Sequence, residues 1–222
     1  MNHSILSRMI QSTTGSNRHV VAKGSATRAN EEKQQAPKTT ILRIGTHSGR
    51  HNRWLDRMLK NTRPGDLVVL QYGGNYCQFD WPTVAAHPDI DHLPLLSFGQ
   101  FREFFTTAIA KARAKGANVA LLTLPTLLPQ RYFHLVCRNL DRQAILHWLG
   151  DDACALNQWN EKYNDEIQSL GAQFQLPVID INPAFLQHHY LDDCYTPDGM
   201  HPNAVGRSVI AELVADWQRT HC

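Results

Sequence analysis

Long apolar runs are missing from this 222-residue chain. No stretch approaches the ~20 consecutive apolar residues that a membrane-spanning helix needs. The opening residues, MNHSILSRMIQSTTGS, lack the apolar core of about 7–15 residues that marks a secretory signal. The chain is therefore expected to be soluble, and cytoplasmic as written. Cysteine is sparse. The five (Cys77, Cys137, Cys154, Cys194, Cys222) are scattered, odd in number and never spaced Cys-x-x-Cys, so neither a zinc site nor a redox pair is signalled. No internal repeat occurs. The net charge is only +2, yet residues 1–60 carry 11 Lys/Arg against 3 Asp/Glu. That basic leader has no clustered runs and no interleaved aromatics, so a solvated segment is expected rather than a nucleic-acid surface.

What is present suits one globular domain: 42% hydrophobic and 19% charged residues, enough to bury a single core. Residues 1–38 are polar throughout. From residue 39 onward, short apolar runs alternate with helical patterns. TTILRIG (39–45), DLVVLQYGG (66–74), NVALLTLP (118–125) and LPVIDI (176–181) are expected strands. Helical spacing falls over 51–62, 99–115, 153–171 and 203–219. The last of these places Val205, Val209, Ile210, Leu213, Val214 and Trp217 in one stripe. Near-continuous apolar strands alternating with helices predict an α/β fold, a three-layer sandwich around a parallel sheet. In such folds ligands sit at the carboxyl ends of the strands.

Three segments at or near such positions carry residues capable of chemistry. Gly73-Gly74-Asn75 follows the second strand directly; glycine permits a close backbone approach, and the asparagine amide offers donors. RIGTHSGRHNRW joins a strand to a helix and could present exposed amides to an anion. YTPDGMHPNAVG (195–206) sets Asp198 three residues ahead of His201 at the mouth of the last helix. Pro202 there suits a first helical turn, where its missing N–H costs nothing. His47 and His51 are four apart, but no third ligand accompanies them, and surface histidines are the simpler reading.

In order and spacing, Gly49, Gly73-Gly74-Asn75 and Asp198-x-x-His201-Pro202 resemble the SGNH (GDSL-type) hydrolase family, over about residues 39–222. DGMHPNAVG is the most specific part of the match and QYGGN the next. Two departures stand out. Tyr76 replaces the aspartate that usually ends Gly-x-Asn-Asp, and no intact Gly-Asp-Ser block opens the chain. The nearest substitute is Gly24-Ser25, within a degenerate block at 19–27, with only 23 residues between Ser25 and Gly49. Either the crossover between the first two strands is trimmed, or the first strand is lost or replaced.

The resemblance implies a flavodoxin-like three-layer fold and a serine esterase for an acetyl or short acyl ester of a small molecule or glycan. Ser25 would be the nucleophile, His201 its base and Asp198 the group that orients the imidazole. Gly49 and Asn75 would supply oxyanion donors. No metal, organic cofactor, nucleic acid or membrane span is implied. Two alternatives stay open beside it. The nucleophile could be Ser48 in GTHSG, a near miss to Gly-x-Ser-x-Gly. Or the chain could be a weakened relative that binds an ester or glycan without turning it over.

Overall fold

The computed structural model describes residues 37–44, 51–72, 78–187 and 191–221. Among the described residues, four strands, β1 (Thr39–Ile44), β2 (Leu67–Tyr72), β3 (Asn118–Leu122) and β4 (Val178–Ile179), form one parallel sheet in the order β1-β2-β3-β4. All four lie inside the expected apolar runs. β1 bonds to β2 along its full length, from Thr39 opposite Leu67 to Ile44 opposite Tyr72. β4 is shorter than its sequence run for a chemical reason. Ladder bonding continues as far as Thr123 N–H to Ile179 C=O, after which the Thr123 hydroxyl accepts from Ile181 N–H and donates to Asp180. A side chain thus takes over where a strand bond would have been.

Alternation along β2 sorts the core. Val68, Leu70 and Tyr72 point to one face, where they pack with Leu55 of helix α1 (His51–Met58), Phe101, Phe105 and Ile109 of α3 (Phe98–Ala114), and Tyr163 and Ile167 of α6 (Ala155–Phe174). Leu67 and Val69 point to the other face and meet Ile210 and Val214 of α8 (Ala204–His221) and Phe185 of α7 (Asn182–Leu186). A period of two across the strand therefore produces three layers. The expected α/β sandwich with a central parallel sheet is the observed fold.

A third apolar cluster lies beyond the carboxyl end of β3. It is built from α2 (Trp81–Ala86), α4 (Pro129–Val136) and α5 (Arg142–Trp148), with Phe79, Val84, Leu127, Tyr132, Phe133, Ile145 and Met200 buried inside it. Aromatic edges bind the cluster together: Phe79 meets Trp148 at 4.9 Å and Trp159 at 5.2 Å between ring centroids. Met200 brings the segment ahead of α8 into this cluster.

Candidate active site

The segment between residues 195 and 203 is closed at its base by a bridge between Tyr195 and Pro202. Thr196 N–H donates to His201 C=O at 2.9 Å, and Gly199 N–H returns to Thr196 C=O at 3.0 Å. Gly199 holds φ +71°, a region that a side chain would strain, and it lies tight against α4. A Cβ placed there would come within 2.7 Å of both Leu128 C=O and the Arg131 side chain. Pro202 precedes the last helix rather than entering its first turn as expected. Asn203 is the cap: its Oδ1 accepts from Val205 and Gly206 N–H, while its amide donates to Asp193 and Tyr195 C=O. All four hydrogen-bonding positions of that side chain are used. The proline is therefore displaced from the helix by a better cap.

Within this frame Asp198 and His201 meet. His201 Nδ1 lies 2.7 Å from Asp198 Oδ2. A carboxylate can only accept, so Nδ1 carries the hydrogen and Nε2 is the nitrogen left with a lone pair. The other carboxylate oxygen, Oδ1, accepts from the Thr196 hydroxyl at 2.6 Å, Met200 N–H at 2.8 Å and His201 N–H at 2.9 Å. Partial burial of Asp198 pushes its pKa up. The donors from Thr196, the two backbone amides and the imidazole outweigh that effect and bring it down to about 2. The aspartate is therefore a fixed anion at neutral pH, with its side chain 26% exposed, while the imidazole is 50% exposed. Chemically, a neutral imidazole held in this tautomer can accept a proton at Nε2.

The pair sits at the carboxyl end of the sheet. Residues 123–128 leave the end of β3; the Tyr195 hydroxyl donates to Thr126 C=O, and Leu128 N–H donates to Gly199 C=O at 2.8 Å. This is the edge where open α/β sheets place their ligands. Of the other residues expected at the site, Ser25, the rival Ser48, Gly49 and Asn75 lie outside the described residues, as do Gly73, Gly74 and the degenerate block at 19–27. The structure thus brings together Asp198 and His201.

Sequence reasoning missed three residues that support the site from α6. Asn164 Oδ1 accepts from Leu124 N–H at 2.7 Å and its amide donates to Leu124 C=O at 3.2 Å. Asn160 donates to Pro125 C=O at 3.0 Å, and Asn157 accepts from Leu127 N–H at 2.9 Å. The available signal was their spacing. Positions 157, 160 and 164 fall on one helical stripe beside the buried Leu156, Tyr163 and Ile167, where three amides have no apolar reason to be.

The chain is thus an α/β protein, a parallel three-layer sandwich with an imidazole held by a carboxylate at the carboxyl end of its sheet. The chain belongs to the GDSL-like lipase/acylhydrolase family, whose model matches residues 6–209. That match begins well upstream of residue 39, from which the SGNH resemblance was drawn. Among solved structures, the chain is similar to a lipase/acylhydrolase from Enterococcus faecalis, with 18% identity, 74% of this chain and 66% of that one covered, and a TM-score of 0.46. It is also similar to a GDSL-like lipase from Bacteroides thetaiotaomicron, with 15% identity, 78% and 72% covered, and a TM-score of 0.48. No curated protein matches the chain. Family membership supports ester hydrolysis as the general class of activity. Among the described residues, no helix is long and apolar enough to cross a membrane.

Proposed function

We propose that this protein is a serine esterase acting on an acetyl or short acyl ester of a small molecule or glycan, with His201 as general base and Asp198 as its orienting anion. The observation that carries the reading is the 2.7 Å Asp198–His201 bond, which fixes the tautomer and leaves Nε2 free to take a proton. A serine hydroxyl attacks the ester carbonyl carbon as its proton passes to Nε2. The imidazolium so formed is stabilised by Asp198, and the tetrahedral oxyanion needs donors, for which Asn75 and Gly49 are the candidates. Each such donor is worth about 3–4 kcal/mol in the barrier. Collapse expels the alcohol, which takes the proton back from Nε2. Water then repeats the sequence on the acyl-enzyme, releasing the acid and restoring the serine.

Ser25 is the proposed nucleophile and Ser48 its rival. An alkylphosphonate that reacts with activated serines, followed by peptide mapping, separates them. Label is expected on Ser25, and label on Ser48 moves the nucleophile to the second loop. His201→Ala should abolish labelling and lower kcat on a short-chain aryl ester by about 10³-fold or more. The missing aspartate at Gly24-Ser25 favours a second reading, a binder without turnover. A folded wild-type protein that takes no label and hydrolyses no ester would favour that alternative.

A further inference from the structure

Three polar links join α6 to the Asp198–His201 turn through one stretch of extended backbone. The first is the row of amides: Asn164 on Leu124, Asn160 on Pro125 and Asn157 on Leu127. Residues 124–127 have left the sheet and carry no ladder bonds of their own, so these side chains satisfy backbone groups that burial would otherwise strand. The second link is the Tyr195 hydroxyl, wholly within the core, donating to Thr126 C=O. The third is Leu128 N–H donating to Gly199 C=O at 2.8 Å, directly after the residue that Asn157 grips. Tyr195 opens the turn and Gly199 lies at its tip, so the turn is tied to this stretch at both points.

We propose that residues 124–128, pinned by Asn157, Asn160 and Asn164, are the frame that aims His201 Nε2, and that Asn157 and Tyr195 are positioning residues of the proposed hydrolytic site. The inference rests on the esterase reading for its catalytic consequence but not for its structural one. A general base is effective only when its nitrogen is held at the attacking hydroxyl, and a misplacement of about 1 Å costs on the order of 10²-fold in rate. Asn157 and Tyr195 hydrogen-bond to main-chain groups of Leu127 and Thr126, not to the imidazole. Each acts through the backbone to which the turn is tied.

The test compares Tyr195→Phe and Asn157→Ala with Tyr163→Phe. Tyr163 is a control on the same helix as the three amides: its buried hydroxyl also donates to a main-chain carbonyl, but that of Leu96, outside residues 124–128. Two readouts are taken on the full chain. One is kcat and KM on a short-chain aryl ester. The other is the Cε1–H resonance of His201, assigned by its loss in His201→Ala, which needs no activity. Both frame variants should shift that resonance and lower kcat by about 10- to 100-fold while KM stays within about twofold. The double variant should fall little further than the worse single one, because both act through the same backbone. Tyr163→Phe should lose stability without moving either readout. If Asn157→Ala does not fold, Asn157→Leu, which keeps the volume but offers Leu127 N–H no acceptor, serves in its place. Frame variants that lose stability while resonance and kcat stay at wild-type values would overturn the proposal. A wild type that hydrolyses no ester, but whose resonance moves in both frame variants, would retain the positioning role and reject the esterase reading instead.

Discussion

At the scale of the single residue, Asp198 concentrates the most electrostatic information. Four donors meet its carboxylate, and its pKa of about 2 lies below the ordinary 3.8. A carboxyl depressed on folding stabilises the native state fully above its unfolded pKa. That stabilisation is lost as pH falls through the folded value. The shift corresponds to about 2 kcal/mol at neutral pH. The stability gap between wild type and Asp198→Asn should therefore shrink steadily as pH falls from about 5 towards 2. Urea unfolding across that range checks it, and a gap that does not change with pH would contradict the assignment. In the same variant kcat should drop by about 10²–10⁴-fold, because a neutral amide can neither fix the tautomer nor stabilise an imidazolium. Thr196→Val removes one of the four donors and should raise the Asp198 pKa, readable from its carboxyl carbon shift.

At the scale of the element, the mouth of α8 is governed by Asn203 and Gly206. Asn203→Ala strands two N–H groups and two carbonyls at once and should cost about 1–2 kcal/mol, measured by denaturant unfolding. Gly206 is the third helical residue, and a Cβ there would press into the main-chain carbonyl of Cys194, which cannot rotate away. Gly206→Ala should therefore destabilise the protein, although alanine is the better helix former. The sequence made α8, α3 and α6 legible because each runs for several turns with an apolar stripe. It did not disclose α2, α4, α5 and α7. These have five to eight residues, and α2, α4 and α7 carry a proline at their first or second position, so no period can establish itself before the element ends. The Asp198–His201 pair was legible because both members lie in one short motif. The amides of α6 that brace the neighbouring backbone were not, since their partners are main-chain groups some thirty to forty residues away.

At the scale of the whole molecule, the apolar interior is divided, and the divisions should differ in what they control. Phe105 fills the core between α3 and the sheet, its ring tilted against Tyr72 at 4.4 Å between centroids, far in sequence and packing from the turn. Phe133 belongs instead to the cluster of α2, α4 and α5 that holds Met200, the residue adjoining His201. Both rings are buried, at 0% and 1% exposure, so shortening either to leucine removes a similar apolar area and should cost on the order of 1–2 kcal/mol. Equal stability losses should then have unequal consequences. Phe105→Leu should lower the Tm by a few degrees and leave kcat within about twofold, because the sheet it supports remains intact. Phe133→Leu should lower the Tm comparably and also reduce kcat several-fold, because Met200 and the α4 backbone against which Gly199 rests lose their backing together. Thermal melts paired with ester kinetics, both taken well below the transition, separate the two effects. Equal kcat in both variants would mean that the α2–α4–α5 cluster is scaffold alone, and that the turn takes its geometry entirely from its own hydrogen bonds and from the segment after β3.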